Sequence, residues 1–159
     1  MRKNKFYLVA VILMATVFGH TMNAQSNKEE VDFMQSIFGM EKKAIVTEFL
    51  AIESSDPFWE VYDAYETERK ELGKKRIDAL SDYVSKYNEL NDDKYDDVVK
   101  TMISLRKSTD KLIDTYYKKV KKVSGPKVAA QFFQIEEYFL SAIRLDLMEG
   151  IPYIGELNN

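Results

Sequence analysis

The stretch that decides the fold runs from Asp56 to Leu90 and reads DPFWEVYDAYETERKELGKKRIDALSDYVSKYNEL. Its apolar and aromatic residues recur at intervals of three or four positions or sums of these, which is the period of one face of an α-helix and lasts longer than any strand would use it. At ~1.5 Å per residue, this helix would be a rod of roughly 50 Å. A rod of that length cannot bury its own apolar stripe, so other helices have to cover it. The stripe consists of Phe58, Tyr62, Tyr65, Leu72, Leu80, Val84 and Tyr87.

The segment before this rod predicts a first helix over residues 28–52. Ser26 and Glu29 have the spacing of a capping box at its start. Its apolar face includes Ile45 and Phe49. A second helix is predicted to begin next, because Pro57 suits the first turn of a helix and a neighbouring serine is expected to cap it. The long helix is therefore predicted over residues 56–90.

The segment after the rod predicts two more helices. Asn91 to Asp93 interrupts the apolar pattern, which then resumes at heptad spacing over a third helix at 92–123. Ser124, Gly125 and Pro126 break the pattern again before a fourth helix at 126–149. The short connection at Asn91 makes helices two and three antiparallel neighbours. The predicted fold is all-α, with four helices and a long antiparallel hairpin, arranged as a bundle or a cradle.

The first 24 residues have the pattern of a signal peptide. Residues 1–5 are basic, residues 6–18 form an apolar run too short for a membrane span, and Ala24 offers a small residue for cleavage. Cleavage there would leave residues 25–159 as a single helical domain in the periplasm or outside the cell. An uncleaved anchor is the alternative, because Met22 is large for the −3 position.

Composition excludes several functions. The chain of 159 residues has 23 basic and 26 acidic residues, one histidine and no cysteine. Loss of residues 1–24 would leave 20 basic against 26 acidic residues, a net charge of −6, and no histidine. No disulfide or lipid-bearing cysteine is then available, nor a zinc or haem ligand set of imidazole and thiolate, nor a Ser-His or Cys-His nucleophile. An acidic domain is also a poor match for nucleic acid.

Carboxylates, although plentiful, indicate no catalytic or metal site. No pair stands out by its spacing as an acid–base couple. The loop at Asn91 to Asp93 lacks the glycine and the closing glutamate of a calcium-binding loop. The sequence therefore predicts a protein that is not an enzyme and has no cofactor, no metal ion and no nucleic-acid partner.

Adjacent aromatic residues indicate a binding surface. Neighbours on a helix point in different directions, so one internal core does not easily take both members of each pair. Contiguous exposed apolar surface usually marks an interface, with a thick internal core as the alternative. The predicted surface for a client or partner consists of Tyr116, Tyr117, Phe132, Phe133, Tyr138 and Phe139.

Two charged pairs are expected to fix the register of the helices. Aligning the predicted helices places Glu136 or Glu137 near the height of Arg69, and Arg144 near that of Asp78; the pairs chosen are Arg69 with Glu136 and Asp78 with Arg144. Polar pairs that set helix register are the commoner role for such residues in a bundle. The alternative is that Arg69 and Arg76, which occupy stripe positions of the long helix, meet an anionic ligand.

Two segments carry a family resemblance. Residues 58–66, FWEVYDAYE, resemble the FWPVYxxYE segment of small secreted helical proteins of Gram-negative bacteria. Residues 127–136, KVAAQFFQIE, resemble the closing segment of the same proteins. Those proteins are distantly similar to the Spy/CpxP group of periplasmic chaperones and envelope-stress sensors.

The resemblance and the two-sided apolar helices lead to a functional expectation. They imply a non-enzymatic, Spy/CpxP-like periplasmic protein that holds partly unfolded or envelope proteins on aromatic surface, with a homodimer as a further expectation. The alternative is a regulatory partner that docks on a membrane stress sensor or an anti-sigma system. A chaperone needs many partners, whereas a regulator needs one.

Overall fold

The computed structural model describes residues 40–152. Helix α1 takes residues 40–50, α2 takes Phe58–Ser85 and α3 takes Asp92–Gly150, with one 3-10 turn at Tyr87–Glu89. All regular structure within residues 40–152 is helical, which confirms the predicted all-α class.

The helix boundaries differ from the prediction at several points. Residues 28–39 of the predicted first helix lie outside the described residues, and α1 ends two residues early because Ala51 turns the backbone to a positive φ of 49°. The predicted helix at 56–90 is shorter, because the 3-10 turn takes over after Ser85. The predicted helices at 92–123 and 126–149 follow each other without a loop as α3, in which two helices meet at a kink at Gly125, where the backbone is not helical. Residues 40–152 therefore contain three continuous helical elements, and the third consists of two helices on either side of the predicted break.

The described residues form two compact units. The hairpin unit is Phe49–Gln134, which contains α2 and most of α3. The second unit consists of residues 40–48 and 135–152, so that most of α1 faces the last part of α3.

The start of α2 is held by Asp56. Its carboxylate oxygen Oδ1 accepts a hydrogen bond of 2.8 Å from the Phe58 amide, which would otherwise lack a partner in the first turn. The same oxygen accepts a hydrogen bond of 2.5 Å from the Ser124 hydroxyl. Asp56, rather than the expected serine, therefore caps this helix and ties it to the kink in α3.

The core of the hairpin unit is aromatic. The ring of Phe132 lies 5.1 Å from that of Tyr65, 6.3 Å from Phe58 and 6.4 Å from Tyr62, measured between centroids. Tyr116 meets Tyr65 from α3 at 5.4 Å. All five side chains are buried. Edge-to-face pairs of this kind stabilise a fold by about 0.5–1.5 kcal/mol each beyond the area they bury.

The kink at Gly125 reverses the chain. Tyr116 and Phe132 would be roughly 24 Å apart along an unbroken helix. Both rings nevertheless contact Tyr65, so the segment after Gly125 must fold back along α2. Gly125 has φ 86° and ψ 172°, a conformation that is almost confined to glycine.

The far half of the hairpin is more open than the half near Gly125. Leu72 and Leu80 are only half-buried, and Val84 is exposed. Tyr83 and Tyr87 are buried there, with ring centroids 5.7 Å apart. The predicted stripe on α2 is therefore well covered at its beginning and partly covered further on.

Gly125→Ala tests whether the positive φ at the kink requires glycine. We expect this variant to lose about 1–3 kcal/mol of unfolding free energy in denaturant titrations, because a Cβ is strained at this φ and ψ. Crowding does not contribute, since a Cβ at this position would meet no atom within 4 Å. Ala51→Gly is the reverse control, and it should leave stability unchanged or higher because Ala51 already has a positive φ. Equal stability of Gly125→Ala and the parent chain would contradict the prediction.

Candidate binding surface

The six aromatic residues predicted as a surface fall into two groups. Tyr116, Phe132 and Phe139 are buried, so the structure corrects the prediction and places these three in the cores. Phe133, which follows Phe132, is 48% exposed, and Tyr138, which precedes Phe139, is 42% exposed. Tyr117, which follows Tyr116, is half-buried. Successive residues of a helix point about 100° apart, which separates each adjacent pair into a core member and an outer member.

The half-buried Tyr117 and the exposed Phe133 form an aromatic contact on the hairpin unit. Their ring centroids are 6.4 Å apart and their planes meet at 77°, an edge-to-face geometry. The contact joins α3 before the kink to α3 after it. It brings together two residues that are sixteen positions apart in the sequence. We call this pair the Tyr117–Phe133 patch.

Lysines are frequent in the sequence between the two residues of this patch. The segment from Lys118 to Lys127 has five lysines, all exposed, and no acidic residue. Lys118 pairs with Asp114 at 2.6 Å, and Lys119 lies 4.0 Å from the centre of the Tyr116 ring. The sequence between the two residues of the patch is therefore rich in exposed positive charge. The five lysines are Lys118, Lys119, Lys121, Lys122 and Lys127.

The buried neighbour Tyr116 is anchored through its hydroxyl group. The hydroxyl donates a hydrogen bond of 2.6 Å to the Glu68 carboxylate on α2. Burial raises the pKa of Tyr116 to about 12, and the hydrogen bond and the negative charge of Glu68 add to this effect. Tyr116 thus stays neutral at ordinary pH and helps to hold α3 against α2 beside the patch.

A buried ion pair organises the second unit. The Lys42 ammonium on α1 lies 2.6 Å from the Glu136 carboxylate on α3, and both side chains are 1% exposed. The ammonium also lies 5.2 Å from the centre of the Phe139 ring, within range of a cation–π contact. Val46 and Leu50 are buried on the same face of α1 as Lys42.

This face of α1 differs from the predicted one. Ile45 is half-buried and Phe49 is 39% exposed, although both were expected to face the core. Sequence reasoning missed Lys42 because a lysine on a short helix normally indicates the solvent side. The available signal was its spacing, since Lys42, Val46 and Leu50 recur every four residues.

The predicted register pairs remain predictions. Arg69 contacts Glu66 on its own helix, with Nε 2.9 Å from Oε1 and both side chains largely buried. Glu136 contacts Lys42 as described. The pairing of Arg69 with Glu136 and of Asp78 with Arg144 is not tested by these contacts. Lys42 and Glu66 are additional charged residues in the cores that the sequence reasoning did not select.

The outer face of α3 has no charged residue between residues 135 and 148, and the next exposed charge is Glu149. Its exposed residues between 135 and 148 are Tyr138, Ser141, Leu145 and Met148, of which Leu145 is 59% and Met148 52% exposed. The charged residues of this segment are instead buried or half-buried. They are Glu136, Glu137, Arg144 and Asp146.

Asp146 lies in an unfavourable environment for a carboxylate. Its Oδ2 atom is buried and makes no hydrogen bond within the described part of the chain. Burial raises the pKa of Asp146, and the negative charge of Glu149 adds to this shift. The ionised form of Asp146 therefore weakens the folded state slightly.

No helix within residues 40–152 is long and apolar enough to cross a membrane. In the same range, no three or more histidine, cysteine, aspartate or glutamate residues are grouped so as to hold a metal ion.

Comparison with known proteins returned no match among protein-family models, curated proteins or solved structures.

Lys42→Met tests the buried pair. Removing the ammonium leaves the Glu136 carboxylate without this partner in the core, and breaking a buried pair costs about 3–5 kcal/mol. We expect the loss in thermal and denaturant unfolding. The double variant Lys42→Met with Glu136→Leu should recover a large part of it, because no unpaired charge stays buried. A double variant as unstable as the single one would contradict this explanation.

Asp146→Asn tests the raised pKa. A carboxyl group with a higher pKa in the folded state binds its proton first in that state, so folding is favoured as pH falls through that pKa. The parent chain should therefore gain stability, relative to Asp146→Asn, as pH falls from 7 to about 4. At pH 7 the variant should be the more stable chain. If the unfolding free energies of the two chains changed in parallel over this pH range, the prediction would be contradicted.

Proposed function

We propose that this protein is a non-enzymatic binding protein that holds partly unfolded proteins on the Tyr117–Phe133 patch. The observation that carries the proposal is the edge-to-face contact of the exposed Phe133 with the half-buried Tyr117, next in sequence to a lysine-rich segment without acidic residues. Exposed apolar surface of this kind usually serves an interface. The resemblance of residues 58–66 and 127–136 to secreted helical proteins of the Spy/CpxP type supports the same function.

The proposed mechanism is reversible burial of apolar side chains of the client. Each Å² of apolar surface removed from water contributes roughly 25 cal/mol, so a small patch gives weak contacts that exchange readily. Lysine side chains can also lay their aliphatic stems along apolar surface. Their ammonium groups attract clients with acidic flanks and raise the rate of encounter. Binding should therefore weaken as salt screens these charges.

The setting of this function is part of the proposal. A cleaved signal peptide over residues 1–24 would place the protein in the periplasm or outside the cell. A cradle of the Spy/CpxP type would present the patch on a curved helical surface, and residues 25–159 would fold as one domain. These expectations come from the sequence and the resemblance, and residues 1–24 lie outside the described residues.

The regulatory alternative uses the same surface differently. A partner of a membrane stress sensor or anti-sigma system would bind one protein with defined stoichiometry. The lysine-rich segment is compatible with a single acidic partner. Pull-down from envelope extracts separates the two functions, since a chaperone retains many proteins and a regulator retains one.

Phe133→Ser tests the proposed function. The assay follows light scattering as a chemically denatured enzyme is diluted into buffer with increasing amounts of the purified protein. We expect the parent chain to suppress aggregation near equimolar ratio. Phe133→Ser should need about fivefold more protein, because it loses roughly 1 kcal/mol of apolar contact.

Ile103→Ser is the matched control. Ile103 and Phe133 are both 48% exposed, but Ile103 lies near the other end of the hairpin. Circular dichroism checks that both variants keep the helical content of the parent. No suppression by the folded parent chain, or equal loss in the two variants, would overturn the proposed surface.

A further inference from the structure

The charge distribution on α3 in the second unit is the reverse of that on a solvated helix. All four exposed residues between 135 and 148 are uncharged, whereas the four charged residues are at least half-buried. Surface helices ordinarily place charged residues on the outer face and apolar residues inside. Large side chains such as Leu145 and Met148 are more than half exposed here. The outer face therefore has the composition of a contact face.

Helix α2 serves as an internal reference. Its exposed residues are mostly charged or polar, as expected for a face in water, and include Glu60, Asp63, Glu68 and Glu71. The absence of charge on the outer face of α3 is thus specific to residues 135–148, after which Glu149 is again an exposed charged residue. It does not reflect a general shortage of charge, because the chain has 49 charged residues.

The spacing of the four exposed residues is that of a helix–helix seam. Tyr138, Ser141, Leu145 and Met148 are separated by three, four and three positions. Apolar residues at alternating intervals of three and four form the contact line of two helices packed side by side. We call these four residues the outer seam.

We propose that the outer seam pairs with the outer seam of a second copy of this chain, with the two helices antiparallel and a two-fold axis at Ser141. The small Ser141 side chain at the axis permits close approach. Tyr138 would then lie opposite Leu145 of the second copy. In the antiparallel arrangement, the positive end of each helix dipole also lies beside the negative end of the other, which is favourable.

Charge complementarity supports this pairing. Glu137 and Arg144 flank the outer seam on the same side, one turn before and one turn after the axis region. Antiparallel pairing brings Glu137 of each copy opposite Arg144 of the other, so the contact gains two equivalent ion pairs. Such pairs beside a seam set the partner and the direction of helix pairing. The contact is isologous, as in most soluble dimers.

The inference does not depend on the proposed function. The outer seam belongs to the second unit, whereas the Tyr117–Phe133 patch belongs to the hairpin unit. Failure of one can therefore be recognised without reference to the other.

Single cysteine variants of the full chain test the pairing, since the protein has no native cysteine. Ser141→Cys places two thiols at the axis, where Cα atoms of facing residues come within the ~4.4–6.8 Å that a disulfide needs. Leu145→Cys places its thiols four residues either side of the axis, roughly 12 Å apart along the helices. We expect Ser141→Cys to form disulfide-linked dimers at least roughly tenfold faster than Ser104→Cys, an exposed control in the hairpin unit.

Three results decide the outcome. Rapid crosslinking by Ser141→Cys and slow crosslinking by Leu145→Cys supports the antiparallel pair. Crosslinking by Ser141→Cys no faster than by Ser104→Cys overturns it. Equally fast crosslinking by Leu145→Cys also overturns it, because a parallel or nonspecific contact gives that result.

A charge exchange gives an independent readout without cysteine. Sedimentation velocity over a range of concentrations measures the dimer of the native chain. Glu137→Arg should weaken dimerisation by roughly tenfold, because two arginines then face each other in each flank. Adding Arg144→Glu to Glu137→Arg should restore dimerisation, because the reversed pair again places opposite charges together. A native chain that stays monomeric, or a dimer indifferent to Glu137→Arg, would refute the pairing.

Discussion

The reversal of α3 at Gly125 is the constraint on which the hairpin unit depends. A positive φ of 86° in the middle of a long helical element lets the chain turn back without a loop. The turn brings Phe132 into the aromatic core made by Phe58, Tyr62 and Tyr65. The hydrogen bond from Ser124 to Asp56 fixes the position of this turn against the start of α2. A straight α3 would leave those rings without their partner.

The same reversal creates the candidate binding surface. Because Phe132 points into the core, its neighbour Phe133 must point outward, where it meets Tyr117 from the segment before the kink. Tyr116 and Tyr117 divide in the same way, with the hydroxyl of Tyr116 held by Glu68. Core and surface are thus built from adjacent residues, and the exposed pair is positioned by its buried neighbours.

Charge is distributed in an unusual way in the second unit. Lys42 and Glu136 are fully buried together, while the outer seam of α3 carries no charge. A buried ion pair is a weak source of stability, because desolvation offsets most of the attraction, but it strongly disfavours any arrangement that separates its members. The pair therefore specifies how α1 meets α3, whereas the uncharged seam leaves the other side of α3 available for a partner helix.

The sequence by itself determined the helical class, the hairpin at Asn91 and the break at Ser124 to Pro126, because periodicity and turn residues are local signals. It also selected the aromatic segments from which the candidate surface is built. Only the tertiary structure decided which member of each aromatic pair is buried, since that depends on which side of α3 meets α2 after the turn. It also decided that Asp56 bonds to Ser124 at the kink and that Lys42 faces the core. Those roles depend on partners 68 and 94 positions away in the chain, which no local pattern encodes.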